Sequence, residues 1–163
     1  MREVAEPKIQ GNAEALVAPT AVAICDLDRP VAGGLFPVPG PFAFGHEFVG
    51  TVVEAGPEAG VQLGDEVVVS FQISCGECDR CQRGITGSCR KVNPGAMFGL
   101  GEIGGDWGGA LSDFVRIPFA RSMLFKSRKE FRREPLPQHQ TTSATPTEPL
   151  PLISQDNREP RYS

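Results

Sequence analysis

The chain has 163 residues, which is the length of one domain at the usual ~100–200 residues per domain. Hydrophobic residues make up 40% of it and charged residues 22%, which excludes a disordered acidic chain as the overall class. The net charge of −4 argues against nucleic acid as the main partner, because binding phosphates needs clustered Lys and Arg. There is no apolar run of membrane-spanning length and no apolar N-terminal stretch, so we expect a cytoplasmic protein without membrane contact.

The composition changes near residue 119. All 19 glycines lie before that point, although about three would be expected in a further 44 residues of ordinary composition. Residues 1–119 carry a net charge of −7, whereas residues 120–163 carry +3 and are rich in Pro, Thr, Ser and Gln without apolar periodicity. We therefore predict a folded domain over 1–119 and a disordered or out-of-frame tail over 120–163.

Short strands separated by glycine and proline turns follow one another through the predicted domain. Residues 14–24 indicate a strand that Pro19 would interrupt or place at an edge, because proline cannot donate to a ladder. The β-branched runs over 48–55 and 66–72 predict two more strands, and the alternation over 110–118 predicts another. No stretch keeps a helical period over three turns. We expect a small, mainly β, barrel-like domain.

Four of the five cysteines lie close together, with the spacing Cys75-x2-Cys78-x2-Cys81-x7-Cys89. Four thiolates on one short loop match the tetrahedral coordination of a structural zinc ion. Disulfides are disfavoured, because no secretion signal is present and the cytosol is reducing. An iron–sulfur cluster would more typically show a short third spacer and a Cys-Pro pair. Four unligated thiols are the simplest alternative.

Two further candidates are Cys25, which stands alone, and His46, which is one of two histidines. His46 lies in the turn Gly45-His46-Glu47, directly before a predicted strand. A lone cysteine is most often a small buried hydrophobic residue. A lone histidine is most often an ordinary hydrogen-bonded one. Taken alone, neither residue identifies a metal site.

Four sequence patterns together resemble the zinc-containing alcohol dehydrogenases of the medium-chain dehydrogenase family. Residues 45–59 read Gly-His-Glu-x2-Gly-x5-Gly-x2-Ala and match that family's signature at every defined position. Cys25-x2-Asp28 resembles the segment that supplies the first ligand of the catalytic zinc, and the four-cysteine loop resembles the structural-zinc lobe. Residues 108–118 resemble the strand that follows this lobe. The resemblance implies a GroES-like β-barrel, here lacking the Rossmann nucleotide-binding domain.

The resemblance also implies a role for each site residue. Cys25 and His46 would bind the catalytic zinc, with Glu47 beside the metal. Asp28 would accept a hydrogen bond from His46 and set its tautomer. The four-cysteine loop would hold a second, structural zinc. The catalytic zinc would make the proton of a small alcohol or polyol leave more easily, before hydride passes to the nicotinamide ring of NAD(P).

Three features depart from the family pattern. Leu27 stands where many alcohol-oxidising members have a Ser or Thr that begins the proton relay, so either another group carries the proton or the substrate class differs. The third protein ligand of the catalytic zinc, expected well after Pro118, is assigned to no residue. The string Gly99-Leu-Gly101-Glu-Ile-Gly104 resembles a dinucleotide fingerprint, but it follows the cysteine loop rather than a strand. We interpret it as a glycine-rich connection.

Two functions stay open. The first is the catalytic portion of an NAD(P)-dependent alcohol or polyol dehydrogenase, incomplete as it stands because no stretch of this chain could form the cofactor domain. The second is a catalytically inactive zinc-binding fragment or interaction module. A nucleic-acid-binding zinc ribbon is disfavoured by the acidic excess of residues 1–119. We expect the N-terminus to be clipped and the tail to arise from a frameshift; the oligomeric state and the choice between NAD and NADP stay open.

Overall fold

Strands carry most of the regular structure in residues 4–36 and 38–127, which the computed structural model describes. The elements are β1 (Ala15–Ala23), α1 (Asp28–Ala32), β2 (Glu47–Ala55), β3 (Glu66–Val69), α2 (Asp79–Gln82), α3 (Gly101–Gly104), β4 (Val115–Ile117), α4 (Ala120–Met123) and β5 (Leu124–Lys126). A 3₁₀ turn, Thr86–Ser88, follows α2. The longest helix of this part of the chain has 5 residues, and none is long and apolar enough to cross a membrane.

The strands pair into one antiparallel sheet with the order β4-β1-β2-β3-β5. Ala23, at the end of β1, lies opposite Glu47, at the start of β2. Pro19 lies opposite Gly50 and next to a register shift, so β1 continues past the proline through the irregularity that the sequence predicts. A side chain at Gly50 would come within 2.5 Å of the β1 backbone, so only glycine fits at this crossing.

The core combines one face of the sheet with side chains from the connecting segments. Alternate residues of β2 and β3 point into it, as the two-residue period of a strand requires. The largest fully buried side chains are those of Val17, Val52, Val67, Ile73, Phe98, Ile117 and Met123. On the opposite face, Val68 and Phe125 pair across β3 and β5 and are exposed.

The predicted mainly β architecture is confirmed, with one correction to the predicted barrel. β4 and β5 are the two edges of the sheet and do not pair with each other, so residues 4–36 and 38–127 form an open sheet. β3 and β4 are also shorter than the runs 66–72 and 110–118 that predict them. Beyond Val69 the chain turns toward the cysteine loop, and Gln72 makes only an isolated bridge to Met97.

Ordered structure continues past the boundary predicted at residue 119. The backbone N–H of Ala120 donates to the carbonyl oxygen of Ala13 at 2.9 Å, and Met123 is fully buried. β5 pairs with β3, and Lys126 Nζ lies 2.7 Å from Asp65 Oδ2. Residues 120–127 join the fold because the side chains of Ala120, Met123 and Leu124 reach the core. The predicted tail beyond residue 127 lies outside the described residues, and its character stays a prediction.

Candidate metal centres

Residues 75–89 form a lobe, called here the cysteine lobe, in which four sulfur atoms converge. The Sγ atoms of Cys75, Cys78, Cys81 and Cys89 all lie within 4.8 Å of one another. Those of Cys75 and Cys81 are 3.9 Å apart, close to the ~3.8 Å edge of a tetrahedron with Zn–S bonds of about 2.3 Å. All four thiols are free of disulfides. This donor set fits a zinc ion.

Local backbone geometry aims these sulfurs inward. Gly76 has a φ of 74°, in the left-handed region that favours glycine, and it turns the chain directly after the first ligand. The N–H groups of Glu77 and Cys78 then donate to the sulfur of Cys75, each at 3.4 Å. Helix α2 begins one residue later and places Cys81 three residues after Cys78. Hydrogen bonds of this kind stabilise the charged form of a thiol.

The pKa values of Cys78 and Cys81 are shifted in opposite directions. The backbone N–H groups of Arg90 and Cys81 lower the pKa of Cys78 to about 6. Burial raises the pKa of Cys81 to about 12. Because the thiolate is the form that binds zinc, Cys78 offers a ligand at neutral pH, whereas Cys81 must lose its proton as a metal binds. We therefore expect zinc binding by the lobe to weaken as the pH falls.

Two exposed ion pairs flank the lobe, and the sequence analysis does not single them out. Arg90 contacts Asp79 through two hydrogen bonds of 2.6 and 3.1 Å, and Lys91 Nζ lies 2.6 Å from Glu77 Oε2. The sequence does contain a signal for these pairs. Glu77 and Asp79 lie on either side of Cys78, and Arg90 and Lys91 directly follow Cys89. Exposed ion pairs contribute little to stability because water and salt screen them, so these two pairs do not dominate the stability of the lobe.

A second group of candidate ligands forms where β1 ends and β2 begins. Strand pairing brings Cys25 and His46 together, although they lie 21 positions apart in the sequence. The Sγ atom of Cys25 is 3.3 Å from Nε2 of His46, close to the ~3.5 Å that separates sulfur and nitrogen ligands on one tetrahedral zinc ion. Thiolate and imidazole are donors that zinc binds well, so this pair also fits the metal.

Asp28 contacts both of these residues, and the three are called here the Cys–Asp–His group. Its carboxylate is buried, with Oδ1 at 3.4 Å from Nδ1 of His46 and Oδ2 accepting a 2.7 Å hydrogen bond from the N–H of Cys25. An acceptor beside Nδ1 keeps the proton on that nitrogen and leaves Nε2 free for a metal. The N–H of Leu27 donates to the sulfur of Cys25 at 3.3 Å.

Glu47 and Phe71 both adjoin His46, Glu47 in the sequence and Phe71 in space. Glu47 opens β2 with an exposed side chain, and its carboxylate is not among the converging ligand atoms. Its role beside the metal stays a prediction. Phe71 lies edge-on to His46, with ring centroids 6.4 Å apart at 70°, and gives the group an apolar side. The sequence analysis treats Phe71 only as part of a strand, and no local pattern in the sequence points to its contact with His46.

Replacing Asp28 by asparagine is expected to weaken metal binding by the Cys–Asp–His group by about 10- to 100-fold. Asparagine keeps the size of the side chain but removes the negative charge that faces Nδ1 of His46. Titration with Co²⁺ after the cysteine lobe has been filled measures this affinity. Asp26→Asn, two positions earlier and exposed, is the matched control and should bind like the wild type. Unchanged affinity in Asp28→Asn would contradict the orienting role of the carboxylate.

Known proteins resemble this chain over its described part. The family described as the alcohol dehydrogenase GroES-like domain matches residues 11–127. Zinc-type alcohol dehydrogenase B of Aspergillus flavus is 37% identical over 122 residues, which cover 74% of this chain and 27% of the relative. The family match therefore includes both candidate metal centres and continues through β5.

Solved structures show the same relationship. Alcohol dehydrogenase TADH from Thermus sp. ATN1 superposes with a TM-score of 0.70 at 35% identity, covering 77% of this chain and 36% of that one. An NAD-dependent alcohol dehydrogenase has a TM-score of 0.62 at 28% identity, covering 80% of this chain and 36% of that one. The chain thus spans about a third of the length of its relatives. The chain belongs to the zinc-type alcohol dehydrogenase family and carries its GroES-like domain, as the sequence predicts.

Proposed function

We propose that this chain is the zinc-binding catalytic portion of an NAD(P)-dependent dehydrogenase that acts on a small alcohol or polyol. The observation that carries the proposal is the 3.3 Å approach of Cys25 Sγ and His46 Nε2, with Asp28 behind the imidazole ring. Structural zinc sites use four protein ligands, whereas catalytic sites keep one position open for substrate. The cysteine lobe supplies four thiols, and the Cys–Asp–His group supplies two donors and an orienting carboxylate. We therefore assign the structural role to the lobe and the catalytic role to the group.

Each residue of the group has a distinct task in this proposal. Zinc held by Cys25 and His46 would supply a Lewis acid that polarises the oxygen of the alcohol. Asp28 holds the imidazole ring with Nε2 directed to the sulfur of Cys25. Phe71 makes an edge-on aromatic contact with His46 and gives that side of the ring an apolar neighbour. Because Leu27 has no ionisable group, the proton of the substrate must leave by another route.

NAD(P) enters the proposal from the family and from the similarity to a solved NAD-dependent alcohol dehydrogenase. The matched region holds the zinc ligands, and we assign no NAD(P)-binding residue within it. We also propose the cytoplasm as the location, because a reducing compartment keeps the five cysteines available as thiols.

Metal analysis of the purified chain tests the catalytic centre. We expect about two zinc ions per chain in the wild type and about one in His46→Gln, because the cysteine lobe keeps its own ion. His139→Gln changes the second histidine of the sequence and is the matched control, with the wild-type zinc content. A wild-type chain that binds a single zinc ion, unaffected by His46→Gln, would contradict the proposed centre.

An assay of NAD and NADP reduction with a series of small alcohols and polyols tests the activity. Turnover that disappears in His46→Gln would support the dehydrogenase. Two zinc ions without turnover would support the second candidate, a catalytically inactive zinc-binding module. The observation that favours this alternative is that, among the described residues, Cys25, Asp28 and His46 alone converge at this centre, whereas a catalytic zinc ion usually has three protein ligands.

A further inference from the structure

The glycine-rich segment, residues 99–109, packs against the backbone that leads into His46. Six of its eleven residues are glycine. Directly after the segment, the N–H groups of Ala110 and Leu111 donate to the carbonyl oxygens of Gly45 and Phe44 at 2.9 and 2.8 Å. The segment is therefore more than a connection, because it touches the residues that carry the histidine.

The two backbones approach too closely for any side chain between them. A Cβ atom at Gly109 would lie 2.5 Å from the carbonyl oxygen of Phe44, and one at Gly99 would lie 2.6 Å from that of Gly45. Cβ atoms essentially never approach other heavy atoms closer than 3.0 Å. A methyl group would therefore force the two backbones apart by about 0.5 Å or more at Gly109 and by about 0.4 Å or more at Gly99.

We propose that the close backbone contacts of Gly99 and Gly109 with residues 43–45 position His46 for metal binding, and that Gly109 is the main positioning residue. The inference rests on the proposed catalytic zinc. The His46 side chain is buried and directly follows Gly45, so a shift of the backbone moves the imidazole ring relative to Cys25. Zinc sites tolerate deviations of only about 0.2 Å in ligand distances, which is less than the displacement a methyl group would impose.

The hydrophobic core holds the N-terminal end of the glycine-rich segment in place. Phe98, directly before it, is fully buried and packs edge-to-face on Phe48 of β2, with ring centroids 5.8 Å apart. Since β2 also begins directly after His46, the same strand anchors the histidine and the segment that supports it. Movement of Gly99 away from Gly45 would therefore disturb this contact.

Three alanine variants of the full chain separate positioning from general destabilisation. Gly109→Ala places a methyl group against Phe44 and Ala43. Gly104→Ala makes an equally close contact within the same segment, 2.6 Å from the carbonyl oxygen of Met97. Gly11→Ala meets only ordinary contacts of 3.8 Å or more. None of the three glycines has a left-handed φ, so alanine introduces no backbone strain of that kind.

Co²⁺ serves as the probe, because cobalt bound by four thiolates absorbs differently from cobalt bound by one thiolate and one imidazole. We expect Gly109→Ala to bind the second Co²⁺ about 10- to 100-fold more weakly, with the absorption of the cysteine lobe unchanged. Gly104→Ala and Gly11→Ala should stay within about threefold of the wild type. Unchanged affinity in Gly109→Ala, or an equal loss in Gly104→Ala, would overturn the inference. A wild-type chain that takes up only one Co²⁺ would instead contradict the proposed function.

Hydrogen exchange of the wild-type chain keeps the inference testable if Gly109→Ala does not fold. Metal binding and the docking of the segment are coupled reciprocally, so filling the second site should slow exchange of the Ala110 and Leu111 N–H groups. The N–H of Gly56, which donates to the carbonyl oxygen of Glu14, is the internal control. Equal changes at all three N–H groups would overturn the inference.

Discussion

Replacing Cys81 by serine is expected to destabilise the domain by at least about 3 kcal/mol and to lower its Tm by about 10 °C or more. Zinc that binds only the folded state adds its binding free energy to folding. Cys81 is buried, and its sulfur lies 3.9 Å from that of Cys75. Serine has nearly the same size but is not a usual zinc ligand, so the loss reflects the metal site and not a cavity.

The cysteine lobe depends on its metal because its amino acids offer little else to bury. The buried members of its cluster are Cys75, Cys81 and Cys89, and Val92 and Phe119 pack against them. Its regular structure is limited to helix α2 and one 3₁₀ turn. Without zinc we therefore expect the lobe to open while the sheet keeps its own apolar core.

Thermal unfolding in the presence of zinc, followed by circular dichroism, measures this effect. Ser88→Ala changes an exposed residue directly before Cys89 and is the matched control, with the Tm of the wild type. Excess chelator should lower the Tm of the wild type more than that of Cys81→Ser. A Cys81→Ser protein that unfolds within about 2 °C of the wild type would contradict a stabilising zinc ion in the lobe.

Replacing Phe98 by alanine is expected to cost about 3–5 kcal/mol of unfolding free energy. The side chain is fully buried, and its ring packs edge-to-face on Phe48 at 77°. Its removal leaves a cavity between β2 and the glycine-rich segment, and it also loses the aromatic contact. Because the segment supports His46, we expect weaker binding of the second Co²⁺ together with the lower stability.

Phe125→Ala makes the same truncation at an exposed site and is the matched control for Phe98→Ala. Phe125 is 59% exposed on the edge strand β5, opposite Val68, so its loss should cost less than about 1 kcal/mol. Urea unfolding of both variants measures the difference in free energy. Equal losses would contradict the assignment of Phe98 to the core.

The cysteine lobe shows how far local spacing alone can predict a site. Its first three ligands are separated by two residues each, so a tight turn at Gly76 and one helical turn are enough to bring the sulfurs together. The flanking ion pairs follow the same logic, since Asp79 and Arg90 adjoin lobe cysteines in the sequence. Contacts between residues that lie this close in the sequence depend little on the rest of the fold.

Predicting the Cys–Asp–His group required more than the spacing of its residues in the sequence. Cys25-x2-Asp28 and the turn before β2 became informative only through the family resemblance, because 21 positions separate Cys25 from His46. The pairing of Ala23 with Glu47 brings the two residues together, and a different register would separate them. The exposed side chain of Glu47 and the aromatic contact of Phe71 could not be predicted from the sequence for the same reason.

From the amino-acid order we could predict the mainly β class and the four-cysteine lobe, because these depend on residue types and short spacings, and the resemblance of several motifs indicated the family. The folded molecule was needed to show that the sheet is open over the described residues and that ordered structure continues to Lys126. It was also needed to show that Gly99 and Gly109 touch the chain before His46. These features join residues that are distant in the chain, so strand register and core packing set their distances.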